Sequence, residues 1–417
     1  MLAEIVSIGD ELLIGQVINS NAAYISSQLN SVGIFVDKMT TVGDSEAAIL
    51  GAFERALKAY DVVTVTGGLG PTHDDITREA VCKFFKTGLI VNAEALENIK
   101  HRFAQRNIAL IKRNEEQALV PSGCTVIQNH HGTAPGYFFE RDGKYFIVMP
   151  GVPSEMKGMM DDFVVPYFSR KISGTSILHR TLKTTGIAES LLAEQIGDIH
   201  ALFAERPGIS LAYLPSTMGV RLRITARTSS RADAESLVRE VESKLRSKAE
   251  RYIYGTDTEE LEDVLGKILT ERKLSISVAE SCTGGLIADR LTNVPGSSNY
   301  FERGIVTYSN ESKIAELGVP RSSIEQYGAV SREVAESMAL GIRTKSNTDI
   351  GLSTTGIAGP TGGTAEKPVG LIWIGYSDHR QTIAIRFNFA SDRRSFKERG
   401  SQAAMDLARR KLLKIES

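Results

Sequence analysis

The sequence predicts an α/β protein: two domains built on mostly parallel sheets, with a small α+β domain between them. β-Branched apolar runs alternate with helical stripes in the first and last thirds, and glycine turns separate the two. The middle of the chain lacks those turns and carries one cleanly alternating strand. The 417 residues suffice for about two to four cores, at roughly 100–200 residues each. The domain boundaries are placed at 1–168, 169–255 and 256–417.

The first domain opens with Ile5-Val6-Ser7-Ile8, an apolar run that ends at Gly9. Ile25, Leu29 and Val32 then share one helical face, which Gly33 stops. Asp61 to Thr66 reads as a buried strand, broken by Gly67-Gly68-Leu69-Gly70-Pro71. Val81, Phe84 and Phe85 mark the next helix. Tyr145 to Met149 is a further strand, closed by Pro150-Gly151. In the middle domain Val220 to Ala226 alternates, and Ala234, Leu237, Val238, Val241 and Leu245 form a helical stripe. Polar Thr256 to Glu260 leads into the amphipathic Leu261, Val264, Leu265 and Ile268. In the last domain Ile276 to Ala279, Ile305 to Tyr308 and Ile350 to Thr354 are strand-like. Val369 to Tyr376 and Ile383 to Phe389 read as a hairpin, and a final helix carries Phe396, Ala403, Ala404 and Leu407. Ligands of such sheets sit beyond the carboxyl ends of the strands, where these glycine turns lie.

Composition narrows the function. Hydrophobic residues at 42% and charged residues at 24% exclude a disordered, collagen-like or coiled-coil chain. Lysine plus arginine is 49 against 50 acidic residues, so strong nucleic-acid binding by charge is not expected. The basic tail of Arg409, Arg410, Lys411 and Lys414 reads as the wet face of the last helix. No apolar run approaches about 18 residues, and Met1-Leu2-Ala3-Glu4 lacks a basic start, so neither a membrane span nor a signal peptide is expected. Cys82, Cys124 and Cys282 are far apart and lack zinc-ligand spacing, which fits a reducing cytoplasm.

Ala279-Glu280-Ser281-Cys282-Thr283-Gly284-Gly285 follows a strand and opens a helix. The amides of Thr283, Gly284 and Gly285 are placed to face an anion or oxyanion. A serine cap with close-packing glycines is the plainer reading. Tyr308-Ser309-Asn310-Glu311-Ser312-Lys313 also follows a strand. A lysine withdrawn from water loses its charge more readily and can serve as the base that a serine needs. None of the seven histidines lies in these turns, so Ser–Lys is better supported than Ser–His–Asp. Thr354-Thr355-Gly356-Ile357-Ala358-Gly359-Pro360 is a further strand end suited to phosphate or sugar, or a plain loop. Arg393, in Ser391-Asp392-Arg393-Arg394, suits a phosphate through paired hydrogen bonds. Cys282 is the rival nucleophile, although buried packing is the commoner role for such a residue.

In the first domain, Gly67, Gly68, Gly70 and Thr72 open a loop that runs into His73, Asp74 and Asp75. The glycines let backbone approach phosphate, and the carboxylates suit a hard divalent cation. Asp10 and Glu11 follow the first strand and offer two more. The alternative is that Asp74 or Asp75 caps a helix beginning near Thr77. The loop has neither the dinucleotide fingerprint nor the P-loop lysine.

The three carboxy-terminal motifs together resemble the CinA family (competence/damage-inducible protein A), over essentially the whole chain. The resemblance implies nicotinamide mononucleotide deamidase activity, with Ser281 as nucleophile and Lys313 as base. Tyr308, Thr355 and Arg393 would support them, beside Asn310 and Gly356, with no cofactor needed. Ser391 departs from the glycine often found there. The glycine–aspartate loop, Asn129 to Gly136 and Pro150 to Met156 resemble the molybdopterin-binding domain. In this family that domain is associated with metal-dependent ADP-ribose pyrophosphatase activity, and the carboxylates Asp10, Glu11, Asp74 and Asp75 are the expected ligands. The middle segment resembles a KH-like connecting domain, without a Gly-x-x-Gly clamp. The family also implies a homodimer. The competing reading is a non-catalytic pterin or nucleotide binder tied to competence or DNA damage.

Overall fold

The structure, a computed structural model, describes residues 1–72, 75–105, 109, 111–172, 176–199, 203, 206 and 208–415. It divides into two compact units, Met1–Leu178 with Arg227–Ala234 and His179–Ala226 with Glu235–Ser417.

Unit one is built on β1 (Leu2–Ile8), β2 (Phe35–Val42), β3 (Val62–Thr66), β4 (Leu89–Val91), β5 (Leu119–Pro121), β6 (Thr125–Ile127), β7 (Gly136–Arg141) and β8 (Lys144–Met149). Six of these form one sheet in the order β2-β1-β3-β8-β7-β6, and β4 pairs with β5. β2, β1, β3 and β8 are mutually parallel, and β7 opposes its neighbours. The period-two side-chain rule splits the apolar residues between two faces. Val63, Val65 and Val148 pack with Phe53 of the helix Glu46–Ala59. Ile5, Val62 and Ile147 pack with Ile25 and Leu29 of the helix Ser20–Ser31. Helices on both faces explain why β3 is buried throughout and reads as a continuous apolar run.

In unit two, β9 (Ser176–Thr184), β10 (Ile209–Ser216), β11 (Gly219–Thr228) and β12 (Ile253–Thr256) form a sheet in the order β10-β11-β9-β12. β11 alternates as expected: Val220, Leu222 and Ile224 are buried while Arg221 and Arg223 are exposed. The remaining sheet holds β13 (Ile276–Glu280), β14 (Phe301–Val306), β15 (Ile350–Gly356), β16 (Leu371–Ser377) and β17 (Thr382–Asn388), in the order β14-β13-β15-β16-β17. β13 is parallel to both neighbours, and β15, β16 and β17 run antiparallel. β16 and β17 are the expected hairpin.

Two expectations need correction. The strand expected over Ile305–Tyr308 runs instead over Phe301–Val306. It is an edge strand whose Glu302, Arg303 and Gly304 are exposed, so it lacks the apolar pattern that marks its neighbours. Arg409 is not on a wet face. It is 2% exposed, and its guanidinium donates to Asp406 Oδ1 and to the Arg251 carbonyl, both at 2.9 Å. Among the described residues no helix is long and apolar enough to cross a membrane.

Phe146 sits at the centre of the unit-one core, edge-on to Phe53 at 5.0 Å between centroids. Phe146→Ala is expected to destabilise this unit by about 3–5 kcal/mol. The check is the shift in its urea unfolding transition.

Candidate functional sites

β13 delivers Ser281 to the carboxyl edge of the sheet. The Ser281 N–H donates to the Thr354 carbonyl at 3.1 Å, and the Thr307 N–H donates to the Glu280 carbonyl at 2.8 Å. The serine is thereby pinned between the ends of β14 and β15. The turn continues through Gly284 and Gly285 at φ +63° and +95°, a conformation that costs glycine little.

Lys313 comes from the helix Asn310–Leu317, whose start is fixed by Ser309 accepting from the Ser312 N–H at 3.1 Å. Its Nζ donates to the Thr307 carbonyl at 2.8 Å and to Ser281 Oγ at 3.2 Å. Lys313 is 2% exposed and Ser281 8%. Burial holds the Lys313 ammonium below its ordinary 10.5, against a smaller opposing pull from Cys282. The same burial pushes the Cys282 thiol up to about 12. The pair can therefore supply a neutral amine beside a hydroxyl, while the neighbouring sulfur stays protonated.

The expected anion cradle is altered. The Gly284 N–H donates to the Ser281 carbonyl at 3.2 Å, and the Gly285 N–H to Glu280 Oε2 at 3.0 Å. Glu280 also accepts from the Ile287 and Ala288 amides, so a buried carboxylate already caps the helix Leu286–Thr292. Of the three predicted amides, Thr283 is the one not consumed in this way. Its side chain meets Thr354 Oγ1 at 2.8 Å. Thr355 faces elsewhere and donates to the Ala329 carbonyl at 2.7 Å. Thr354 is thus the threonine held against the serine turn. Asn310 is exposed at the first position of its helix. Gly356 is required by packing: a Cβ there would lie 2.7 Å from the Leu371 carbonyl oxygen.

Arg393 begins the last helix, Arg393–Leu413, capped by Asp392. Its guanidinium donates to the Gly359 carbonyl at 2.9 Å and to the Tyr308 hydroxyl at 2.7 Å. It ties together two of the three loops at this edge. One turn further along, Lys397 leans over the serine turn, with Nζ 3.3 Å from where a Cβ on Gly284 would lie.

In unit one a cleft of about 480 Å³ opens beyond β1, β3 and β8. Gly67, Gly68, Gly70, Thr72, Glu11 and Asp75 line it. The glycines answer packing first. A Cβ on Gly67 would lie 2.1 Å from the Ile8 carbonyl oxygen, and one on Gly68 2.2 Å from Thr77 Oγ1. Asp75 does not cap the helix Thr77–Phe85, which has no side-chain cap; its Oδ2 accepts from the Thr72 N–H at 2.8 Å. Asp10 is turned to the loop after β2, where its carboxylate accepts from the Asp44 N–H at 3.2 Å. His73 and Asp74 lie outside the described residues. Among the described residues no three histidine, cysteine or carboxylate side chains are grouped to hold a metal. Of the expected set of Asp10, Glu11, Asp74 and Asp75, the described members Asp10, Glu11 and Asp75 are not grouped in this way, and no step through a metal is derived.

Comparison with known proteins agrees with both halves. Family models match over residues 4–170 (probable molybdopterin binding domain), 179–255 (damage-inducible protein CinA KH domain) and 258–412 (CinA C-terminal domain). A CinA-like protein of Chloroherpeton thalassium is 46% identical over 98% of this chain and 99% of its own. One of Kosmotoga olearia is 42% identical over the full length of both. The chain belongs to the CinA family. Among solved structures, the competence/damage inducible protein CihA of Agrobacterium tumefaciens is 38% identical, covering 35% of this chain and 90% of that one at a TM-score of 0.34.

Three residues of this CinA-family chain escaped the sequence reading. Glu280 was visible beside Ser281, but a cap that reaches back from a strand has no spacing signature. Lys397 lies one turn from Arg393, and that helical spacing was the available signal. Glu155 lines the unit-one cleft, where Asn129 donates to it at 2.7 Å and burial raises its carboxyl above the ordinary range. Glu280→Gln is expected to cost about 1.5–3 kcal/mol by weakening a charge-assisted cap. Thermal unfolding of wild type and variant measures that loss.

Proposed function

We propose that the Ser281 site hydrolyses the carboxamide of nicotinamide mononucleotide to nicotinate mononucleotide and ammonia. The observation that carries this is the buried Lys313 Nζ, 3.2 Å from Ser281 Oγ. Neutral Lys313 takes the serine proton as Oγ attacks the carboxamide carbon. The Thr283 N–H would serve as the oxyanion donor. The tetrahedral intermediate collapses, Lys313 returns the proton to the nitrogen, and ammonia leaves. Water, deprotonated by Lys313, then cleaves the acyl-serine ester and regenerates both residues. Arg393 and Lys397 offer two positive charges, one helical turn apart, for the 5′-phosphate.

The alternative of a pure binding module explains unit two less well. A binder has no use for a desolvated amine against a hydroxyl, and burying that amine costs stability. For unit one the reading is nucleotide binding, with ADP-ribose or a related diphosphate as ligand. Asn21 supports it. It lines the cleft, its Nδ2 donates to the Gly151 carbonyl at 2.7 Å, and its buried Oδ1 has no partner among the described residues.

Ser281→Ala is expected to lower ammonia release by roughly a thousandfold or more, with chelator present throughout. Loss of activity to chelator alone would point away from a metal-free serine mechanism. Activity should rise with pH as Lys313 loses its proton, with a midpoint below 10.5 that disappears in Lys313→Arg. Because the folded chain releases this proton more readily than the unfolded chain, wild type should gain stability relative to Lys313→Met as pH rises toward 10.5. Chemical denaturation at a series of pH values tests that sign. Lys397→Ala should raise KM about tenfold with kcat nearly unchanged, if it meets the phosphate.

A further inference from the structure

A second cavity of unit two, about 500 Å³, lies away from Ser281. Its floor is the edge strand β17 and the flank of the last helix. Ile385, Phe387 and Phe389 alternate along that strand and are only partly buried, with Ala403 and Leu407 beside them. The rings of Phe387 and Phe389 are stacked, 19° from parallel with centroids 5.6 Å apart, and both line the cavity. The hairpin turn between β10 and β11 lies at the rim. It is held to the last helix by Arg399 Nε donating to the Thr217 carbonyl at 3.2 Å.

The rim is cationic. Arg399, Arg410 and Lys411 line it, against Glu189 and Asp406. Asp406 is already neutralised by Arg409 at 2.9 Å. An apolar floor with a few charged groups at one side, at this volume, is the make-up of a small-molecule site. An edge strand otherwise shields such a stripe or breaks it with charge.

We propose that this cavity is a second ligand site, for a small anion with a flat aromatic body. The ring lies against Phe387 and Phe389, and the negative group faces the rim cations. The site is separate from the Ser281 chemistry and does not depend on the deamidase reading. The last helix serves both places, since Arg393 at its start joins Tyr308 and Gly359, and Ala403 to Lys411 line the cavity.

The test uses the full chain and two fluorescent probes: anilinonaphthalene sulfonate, which is anionic, and phenylnaphthylamine, its neutral analogue. The anionic probe should saturate at one site per chain. Ala403→Trp fills the floor and should weaken both probes by roughly tenfold or more. Lys411→Glu reverses a rim charge without touching the floor. It should weaken the anionic probe several-fold and leave the neutral one unchanged. Circular dichroism and thermal unfolding of each variant control for folding. Equal binding by wild type and Ala403→Trp would overturn the site. Equal loss of both probes in Lys411→Glu would overturn the preference for an anion.

Discussion

The desolvated amine of Lys313 is the constraint around which unit two is arranged. A buried ammonium is expensive unless it is paired or gives up its proton. No carboxylate is among its hydrogen-bond acceptors, which are Ser281 Oγ and the carbonyls of Thr307 and Tyr308. Both carbonyls come from the two residues that follow β14, which ends at Val306.

The serine turn is held as firmly as the lysine. Its helix could have offered open amides to a ligand, as helix starts commonly do. Instead Glu280 fills that role from within the protein. A fixed carboxylate behind the turn holds the backbone next to Ser281, and the cost is that fewer amides remain open to any ligand. Positioning of Ser281 takes precedence over open helix-start amides here.

Much of this was legible in the sequence, for physical reasons that can be traced. Buried parallel strands such as β3 and β13 read as apolar runs because both faces are covered. Ser281, Lys313 and Arg393 were legible because each follows a strand end, where the topology gathers loops. What escaped was set by tertiary contacts. Arg409 looked like one of four basic tail residues, yet it is buried because Asp406 and two carbonyls receive it. Thr355 was the expected supporting residue, and strand alternation put Thr354 against the turn instead. The glycines at 67 and 68 looked like a phosphate cradle, and their first duty is to let the chain pass close to Ile8 and Thr77.

Ser281 and Cys282 show how far environment outweighs intrinsic reactivity. Sulfur is the stronger nucleophile in water, and by that ranking the cysteine should act. Burial reverses the order by two routes. It raises the thiol to about 12, which disfavours thiolate, and it lowers the lysine, which favours the neutral amine beside the hydroxyl. Thiol and amine are desolvated by the same sheet edge, yet the direction of each effect follows from which protonation state carries charge. The same burial thus opposes a thiolate at Cys282 and favours a neutral amine at Lys313, beside Ser281.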